Sequence, residues 1–96
     1  MRHVVVRYKV KPERIEEHRA LVKAVFAQLA EVRPAGLDYR VHELADGVSF
    51  VHVATVSVAD NPLTSLEAFK AFTADIKSRC DELPVSSEST RLGAYP

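Results

Sequence analysis

The sequence predicts an α+β domain in which two helices cover one face of a four-stranded antiparallel sheet. The chain has 96 residues, of which 47% are hydrophobic and 27% charged, and this is the composition of one ordinary globular domain. Its apolar residues change from a strand-like to a helix-like period twice along the chain. An Asp46-Gly47 pair separates two strand-like runs near the middle, which indicates a hairpin.

The first strand and the first helix occupy the first third of the chain. Residues His3 to Val10 are rich in valine and predict a strand. Pro12 suits the first position of a helix, because a helix start has no use for the missing N–H. The apolar residues that follow recur at intervals of three, four and seven: Ile15, Leu21, Val22, Val25, Phe26, Leu29 and Val32. Pro34 and Gly36 end this helix.

Residues 37–45 and 48–58 predict the hairpin. A two-residue type I′ turn at Asp46-Gly47 requires positive φ at both positions. Such a turn sets three cross-strand pairs, namely Glu43–Phe50, Val41–His52 and Tyr39–Ala54. Alternation then places one set of side chains beneath the helices: Leu37, Tyr39, Val41, Phe50, His52, Ala54 and Val56.

The second helix and the last strand are predicted from the remaining residues. Thr64 and Glu67 have the spacing of a capping box, in which each side chain bonds a free N–H of the first turn. A helical stripe follows and is expected to stop at Pro84: Leu66, Phe69, Phe72, Ile76, Cys80 and Leu83. Residues Ser86 to Tyr95 predict a final strand at an edge of the sheet.

The order strand, helix, strand, strand, helix, strand predicts a ferredoxin-like βαββαβ unit formed by residues 1–96 as a single domain. Both helices then cover the same sheet face. The other face carries Val5, Val51 and Val53 and would be uncovered in a single chain. We therefore expect a homodimer that packs sheet against sheet as a dimeric α/β barrel.

Charge and residue usage exclude several classes of protein. Lys plus Arg and Asp plus Glu both number 13, so no net charge steers the chain towards nucleic acid or an anionic membrane. Strand three has no aromatic residues on its free face to stack on RNA bases. No apolar run has membrane-spanning length. Cys80, the only cysteine, excludes an internal disulfide and makes the cytoplasm the expected location. No spacing of His, Asp or Glu predicts a metal site.

Three segments resemble the antibiotic-biosynthesis monooxygenase family of the dimeric α/β-barrel superfamily. They are residues 4–12 (VVVRYKVKP), 34–41 (PAGLDYRV) and 66–72 (LEAFKAF). The resemblance implies the fold and the homodimer. Members of this family oxygenate phenolic or quinol substrates without metal or flavin, degrade haem, or isomerise small molecules.

Functional positions of the family differ in this chain. The strand-three tryptophan of active members corresponds to Val56, and their histidine near helix two corresponds to Ala68. The strand-one asparagine of the haem-degrading members has no counterpart between His3 and Val10. The resemblance therefore transfers the fold but no catalytic residue.

His52 and Tyr39 are the candidate catalytic residues, because both lie on the predicted helix-facing side of the hairpin. His52 would be a general base or hydrogen-bond donor in a pocket between sheet and helices. Tyr39 would orient a phenolic substrate or bond the histidine. The alternative is that His52 is a core histidine with a polar neighbour and Tyr39 a packing residue.

Arg7, Arg40 and His42 form a second candidate group, on the face expected to meet the partner subunit. They could bind an anionic ligand inside the barrel. The alternative is ion pairing at the interface with Asp38 or Glu43. The remaining histidines are assigned no role, and His18 is expected on the surface of the first helix.

Two functions follow from these residues. The first is a monooxygenase-like protein that binds a small aromatic or polyketide-like molecule, with oxygenation that uses no cofactor. The second is a non-catalytic domain that binds a small molecule or serves only as a stable dimer.

Overall fold

The computed structural model describes residues 1–96 as one α+β unit. In chain order its elements are β1 (Arg2–Val10), α1 (Ile15–Val32), β2 (Leu37–Glu43), β3 (Ser49–Val56), α2 (Glu67–Ala74), α3 (Ile76–Arg79) and β4 (Cys80–Ser89). Short 3-10 turns at Pro12–Arg14 and Pro62–Ser65 precede α1 and α2. The strands form one antiparallel sheet in the order β2-β3-β1-β4. This confirms the predicted ferredoxin-like architecture. None of the helices combines the length and the apolar character that crossing a membrane requires.

The core lies between the helices and one sheet face. In β3 buried and half-buried residues alternate strictly, as expected for a strand with one covered face. The buried apolar cluster combines residues of both layers: Tyr8, Val10, Val25, Phe50, Leu63, Leu66, Phe72 and Cys80. Because the chain is short, this core is small. A few polar groups inside it therefore have a large effect on the stability of the domain.

The hairpin has the predicted register but a different turn. Glu43, Val41 and Tyr39 pair with Phe50, His52 and Ala54, as alternation around Asp46-Gly47 requires. The turn is not type I′, because Gly47 has a φ of 76° whereas Asp46 has no positive φ.

A wider loop closes this hairpin. The backbone N–H of Leu44 donates to the Ser49 carbonyl at 2.8 Å, so four residues instead of two connect the strands. The Asp46 carboxylate accepts the N–H groups of Val48 and Ser49 at 3.0 and 2.8 Å. Asp46 thus stabilises the turn through its side chain.

The capping box predicted at Thr64 and Glu67 is wrong. Thr64 belongs to the 3-10 turn and bonds the carbonyl of Asn61 instead. The start of α2 is capped from another element, since Gln28 Oε1 of α1 accepts the Ala68 N–H at 2.8 Å. A tertiary contact therefore does what the local motif was expected to do.

The second helix is shorter than its apolar stripe predicts. It ends at Ala74, is followed by the single turn α3, and gives way to β4 at Cys80. The predicted helical positions Cys80 and Leu83 therefore lie in a strand, and β4 begins six residues before the expected Ser86. Pairing of Cys80 with Val10 replaces a further helical turn. The edge position of β4 is confirmed by the strand order and tolerates Pro84, which has no N–H to donate.

Candidate functional site

A chain of buried polar side chains crosses the core beneath the helices. His18, His52 and Arg79 are the buried polar residues, with exposed fractions of 0%, 5% and 1%. Tyr8 joins them and is 5% exposed. Every buried side-chain nitrogen and oxygen has a hydrogen-bond partner. The cost of burying these groups is therefore offset by bonds among themselves.

The hairpin brings the two predicted catalytic candidates together. Tyr39 of β2 and His52 of β3 lie one cross-strand pair apart on the helix-facing side, and the Tyr39 hydroxyl lies 2.6 Å from His52 Nδ1. The other ring nitrogen of His52, Nε2, lies 2.6 Å from the hydroxyl of Tyr8 in β1. Both nitrogens of this imidazole are therefore engaged by tyrosine hydroxyls.

The chain continues from Tyr8 into the helices. The Tyr8 hydroxyl also lies 2.7 Å from His18 Nε2 of α1. Arg79 at the end of α3 donates from Nε to His18 Nδ1 at 3.2 Å and from a terminal nitrogen to the Phe72 carbonyl at 2.5 Å. Its guanidinium carbon also lies 5.5 Å from the centre of the Phe72 ring, a cation–π distance. The bonded order is Tyr39, His52, Tyr8, His18, Arg79.

Burial keeps the four members of this series other than Arg79 neutral at pH 7. Burial, with a charge on His18 as second cause, lowers the pKa of His52 to about 4. It also lowers the pKa of His18 to about 4, with the Arg79 guanidinium as second cause. Burial raises the pKa of Tyr8 and of Tyr39 well above the ordinary tyrosine value. At neutral pH the two imidazoles are uncharged and the two hydroxyls keep their protons.

A cavity of about 240 Å³ lies between the sheet and α2, with Tyr39 and His52 in its wall. The rest of the wall is mainly apolar and includes Val4, Val6, Ala54, Phe69, Phe72 and Ile76. The phenylalanines therefore line this space and do not fill it. An apolar cavity of roughly 150 Å³ can hold benzene, so the available volume accommodates one substituted aromatic ring.

The second candidate group lies on the opposite side of the sheet from this cavity. Arg7, Arg40 and His42 are exposed on the uncovered face, and no hydrogen bond joins any two of them. Arg7 and His42 flank Val51 from the neighbouring strands. Arg40 is bonded to Asp38 of its own strand at 3.1 Å.

Glu43, the other carboxylate expected near this group, has a different partner. Its side chain accepts from Arg19 of α1 at 2.8 Å. Of the two carboxylates predicted to pair with the group, only Asp38 does so within the chain.

Sequence reasoning missed Tyr8, His18 and Arg79 as members of the site. The prediction that His18 lies on the helix surface is wrong, since it is fully buried. The signal was present, because His18 is three residues after Ile15 and four before Val22 in the apolar stripe. Arg79 has the same relation to the stripe of the second helix, three residues after Ile76.

No group of three or more His, Cys, Asp or Glu side chains converges in a way that could hold a metal ion. The polar chain contains two histidines, but its other members are two tyrosines and a guanidinium. A guanidinium cannot act as a metal ligand at neutral pH because it is always protonated.

The fold is shared with several solved structures. No protein-family model matches the sequence, and no curated protein is significantly similar to it. The structure of Rv0793 from Mycobacterium tuberculosis superposes with a TM-score of 0.77 at 18% identity, over 99% of this chain and 98% of that one.

Two further structures carry an activity in their names. An antibiotic biosynthesis monooxygenase superposes with a TM-score of 0.73 at 16% identity, covering 97% of this chain and all of its own. SnoaB, a cofactor-independent oxygenase from Streptomyces nogalater, has a TM-score of 0.71 at 16% identity, over 99% of this chain and 96% of that one. These neighbours match the resemblance found in the sequence, and at these identities they establish the shared fold.

Proposed function

We propose that this chain binds a small aromatic molecule in the cavity beside Tyr39 and His52 and promotes its oxygenation without a cofactor. The observation that carries the proposal is the cavity itself, which is apolar along most of its wall and has a hydrogen-bonded tyrosine at one side. Binding sites for small molecules commonly combine an apolar wall with a few placed polar groups. The fold shared with a cofactor-independent oxygenase supports the same proposal.

In this proposal Tyr39 contacts the oxygen of the bound molecule and His52 holds the tyrosine in place. A phenol or quinol that loses its proton to the buffer becomes electron-rich, and its anion then supplies the electrons to O₂. One oxygen atom of O₂ forms a bond to a ring carbon, and the other leaves as water with two hydrogens of the bound molecule. The protein needs to stabilise the negative charge on the ring oxygen and to exclude water. The Tyr39 hydroxyl is the donor in the cavity wall that we place against this oxygen, while Phe69 and Phe72 shield the ring.

The role of His52 as a general base stays a prediction, and two observations weigh against it. Both ring nitrogens already take part in hydrogen bonds with Tyr39 and Tyr8. Burial also lowers its pKa to about 4, so the imidazole has little affinity for a proton from a phenol. We therefore place His52 behind Tyr39, as the group that orients its hydroxyl.

Replacing Tyr39 with Phe is expected to lower oxygenation roughly a hundredfold, the usual loss when one donor to a developing anion is removed. The measurement is O₂ uptake with 1,4-dihydroxynaphthalene as probe, corrected for the protein-free rate. Replacing His52 with Phe should lower uptake as well. Tyr95→Phe is the matched control, because Tyr95 is fully exposed. Unchanged uptake in Tyr39→Phe would remove Tyr39 from the mechanism.

The non-catalytic alternative is favoured by one specific observation, the absence of a free base in the cavity wall. If the wild-type chain binds the quinol but leaves the rate of O₂ uptake unchanged, the domain is a small-molecule binder. Isothermal calorimetry under nitrogen measures that binding separately from turnover.

We also propose a homodimer that covers the open sheet face, the face on which Arg7, Arg40 and His42 lie. Val5, Val51 and Val53 lie half-buried on this face, and Val85 beside them is 54% exposed. A row of valines exposed on a sheet is typical of an interface. These three candidates then pair across the interface or bind an anion there.

The dimer predicts a solution mass of twice 10.7 kDa at micromolar concentration, measured by light scattering. Val53→Lys places a charge on the face and should yield single chains. Val32→Lys is the matched control, because Val32 is exposed on α1. A single-chain mass for the wild type would contradict the dimer.

A further inference from the structure

The hydrogen-bond chain has one allowed direction, and Arg79 fixes it. A guanidinium has donors and no acceptor, so His18 Nδ1 must accept from Arg79 Nε. A neutral imidazole carries one hydrogen, which in His18 is then on Nε2 and is donated to the Tyr8 oxygen. If His18 were doubly protonated, two N–H groups would face each other at Arg79.

The same reasoning gives the direction of the hydrogen bonds between Tyr8 and the cavity. The Tyr8 hydroxyl has two neighbours, His18 and His52, and the first already donates to it. Its own hydrogen therefore goes to His52 Nε2. His52 then carries its hydrogen on Nδ1 and donates it to the Tyr39 oxygen.

Tyr39 is the last member, and its hydroxyl hydrogen has no acceptor in the protein. The single hydrogen bond of this hydroxyl is the one it accepts from His52. Tyr39 lines the cavity, while the Phe26 ring stacks on its ring at 5.3 Å and holds it in place. A hydroxyl that already accepts one bond and is fixed in this way offers a donor to whatever occupies the cavity.

We propose that Arg79 acts as a positioning residue that fixes the donor-to-acceptor direction of these hydrogen bonds. The cavity then takes an aromatic molecule that has a hydrogen-bond-accepting oxygen at Tyr39. The inference rests on the proposed small-molecule function and narrows its ligand. A carbonyl oxygen and a phenolate oxygen share the required chemistry. An aromatic ring without an acceptor at that position leaves the Tyr39 donor unpaired and binds more weakly.

The direction is tested first on the free protein. Nitrogen-15 NMR of the histidine rings should show the hydrogen of His18 on Nε2 and that of His52 on Nδ1. The opposite tautomer for either histidine in the wild type overturns the inference, whatever the cavity binds. In Arg79→Met the acceptor role of His18 Nδ1 is no longer enforced, and the preference for these tautomers should weaken.

The ligand class is tested with two probes of the same shape. Acetophenone has a carbonyl oxygen where α-methylstyrene has a methylene group. Wild-type protein should bind acetophenone about tenfold more tightly or better, a typical gain from pairing a buried donor. Tyr39→Phe should abolish this ratio, and Arg79→Met should reduce it.

The outcomes separate the two proposals. Equal affinity for both probes leaves the small-molecule site standing and overturns the ligand class. If neither probe binds, the proposed function fails, and the ligand class fails with it. The absorption spectrum of bound 4-nitrophenol shows whether a phenolate also serves as the acceptor, since phenolate and neutral phenol absorb differently. The wild-type tautomers and probe ratio remain decisive even if Arg79→Met does not fold.

Discussion

Acidification from pH 7 to pH 5 is expected to lower the free energy of unfolding by about 4 kcal/mol, through His18 and His52. Burial lowers the pKa of each imidazole from 6.5 to about 4 in the folded protein. A histidine with a pKa of 6.5 in the unfolded chain and about 4 in the folded protein lowers the free energy of unfolding by about 2 kcal/mol between pH 7 and pH 5. For a domain of this size the loss is a large share of the total stability.

The direction of the effect follows from proton binding. Between pH 6.5 and pH 4 the unfolded chain binds protons at both histidines while the folded chain does not, so unfolding is favoured as the pH falls. The stabilisation is fully present above pH 6.5 and lost progressively towards pH 4. The carboxylates of Glu17, Glu43 and Asp75 have lowered pKa values and lose their stabilisation at still lower pH. The window from pH 7 to pH 5 therefore isolates the histidines.

Urea unfolding at a fixed protein concentration measures the effect, because a dimer makes the transition concentration-dependent. His52→Gln should remove about half of the pH dependence, since Gln forms hydrogen bonds but does not titrate. A wild-type stability that is flat from pH 7 to pH 5 would show that the buried histidines accept protons as readily as the unfolded chain does.

The parts of the fold that depend on local pattern could be predicted from the sequence. The register of the hairpin follows from a turn dipeptide and alternation, and the structure has the same pairs. The end of the second helix could not be predicted in this way. The spacing of Ile76, Cys80 and Leu83 fits a helical stripe, yet pairing of β4 with β1 decides the conformation at Cys80. Such long-range pairing overrides a local preference.

Two of the five hydrogen-bonded residues of the site could be predicted for the same reason. Tyr39 and His52 are neighbours within one hairpin, so their contact follows from its register. The bond between His18 and Arg79 joins residues 61 apart in sequence, and no local pattern specifies it. The cavity is bounded by side chains from the sheet and the helices, and its volume depends on how all of them pack.

Replacing Tyr8 with Phe, which removes one oxygen atom, is expected to lower the free energy of unfolding by about 3 kcal/mol. The same change at Tyr39 should lower it less. Tyr8→Phe keeps the ring that stacks on Phe50 at 5.5 Å and deletes only the hydroxyl between two imidazoles. It leaves the donor of His18 and the acceptor of His52 unpaired in the core, each at roughly 1–3 kcal/mol. Tyr39→Phe leaves only His52 Nδ1 unpaired, beside a cavity where a water molecule can bond to it, and should cost about 1 kcal/mol.

A double-mutant cycle of Tyr8 and His52 separates the energy of their hydrogen bond from changes in packing that each substitution causes alone. In a His52→Leu background, Tyr8→Phe leaves only His18 unpaired, so its cost should fall by about 1 kcal/mol or more relative to the wild-type background. Chemical denaturation at pH 7, where both imidazoles are neutral, provides the four free energies of unfolding. If Tyr8→Phe and Tyr39→Phe cost the same, and the cycle shows no coupling, Tyr8 does not link the two histidines. Arg79 could then not fix the direction of the hydrogen bonds at Tyr39, because the series of bonds between the two residues passes through the single hydroxyl of Tyr8.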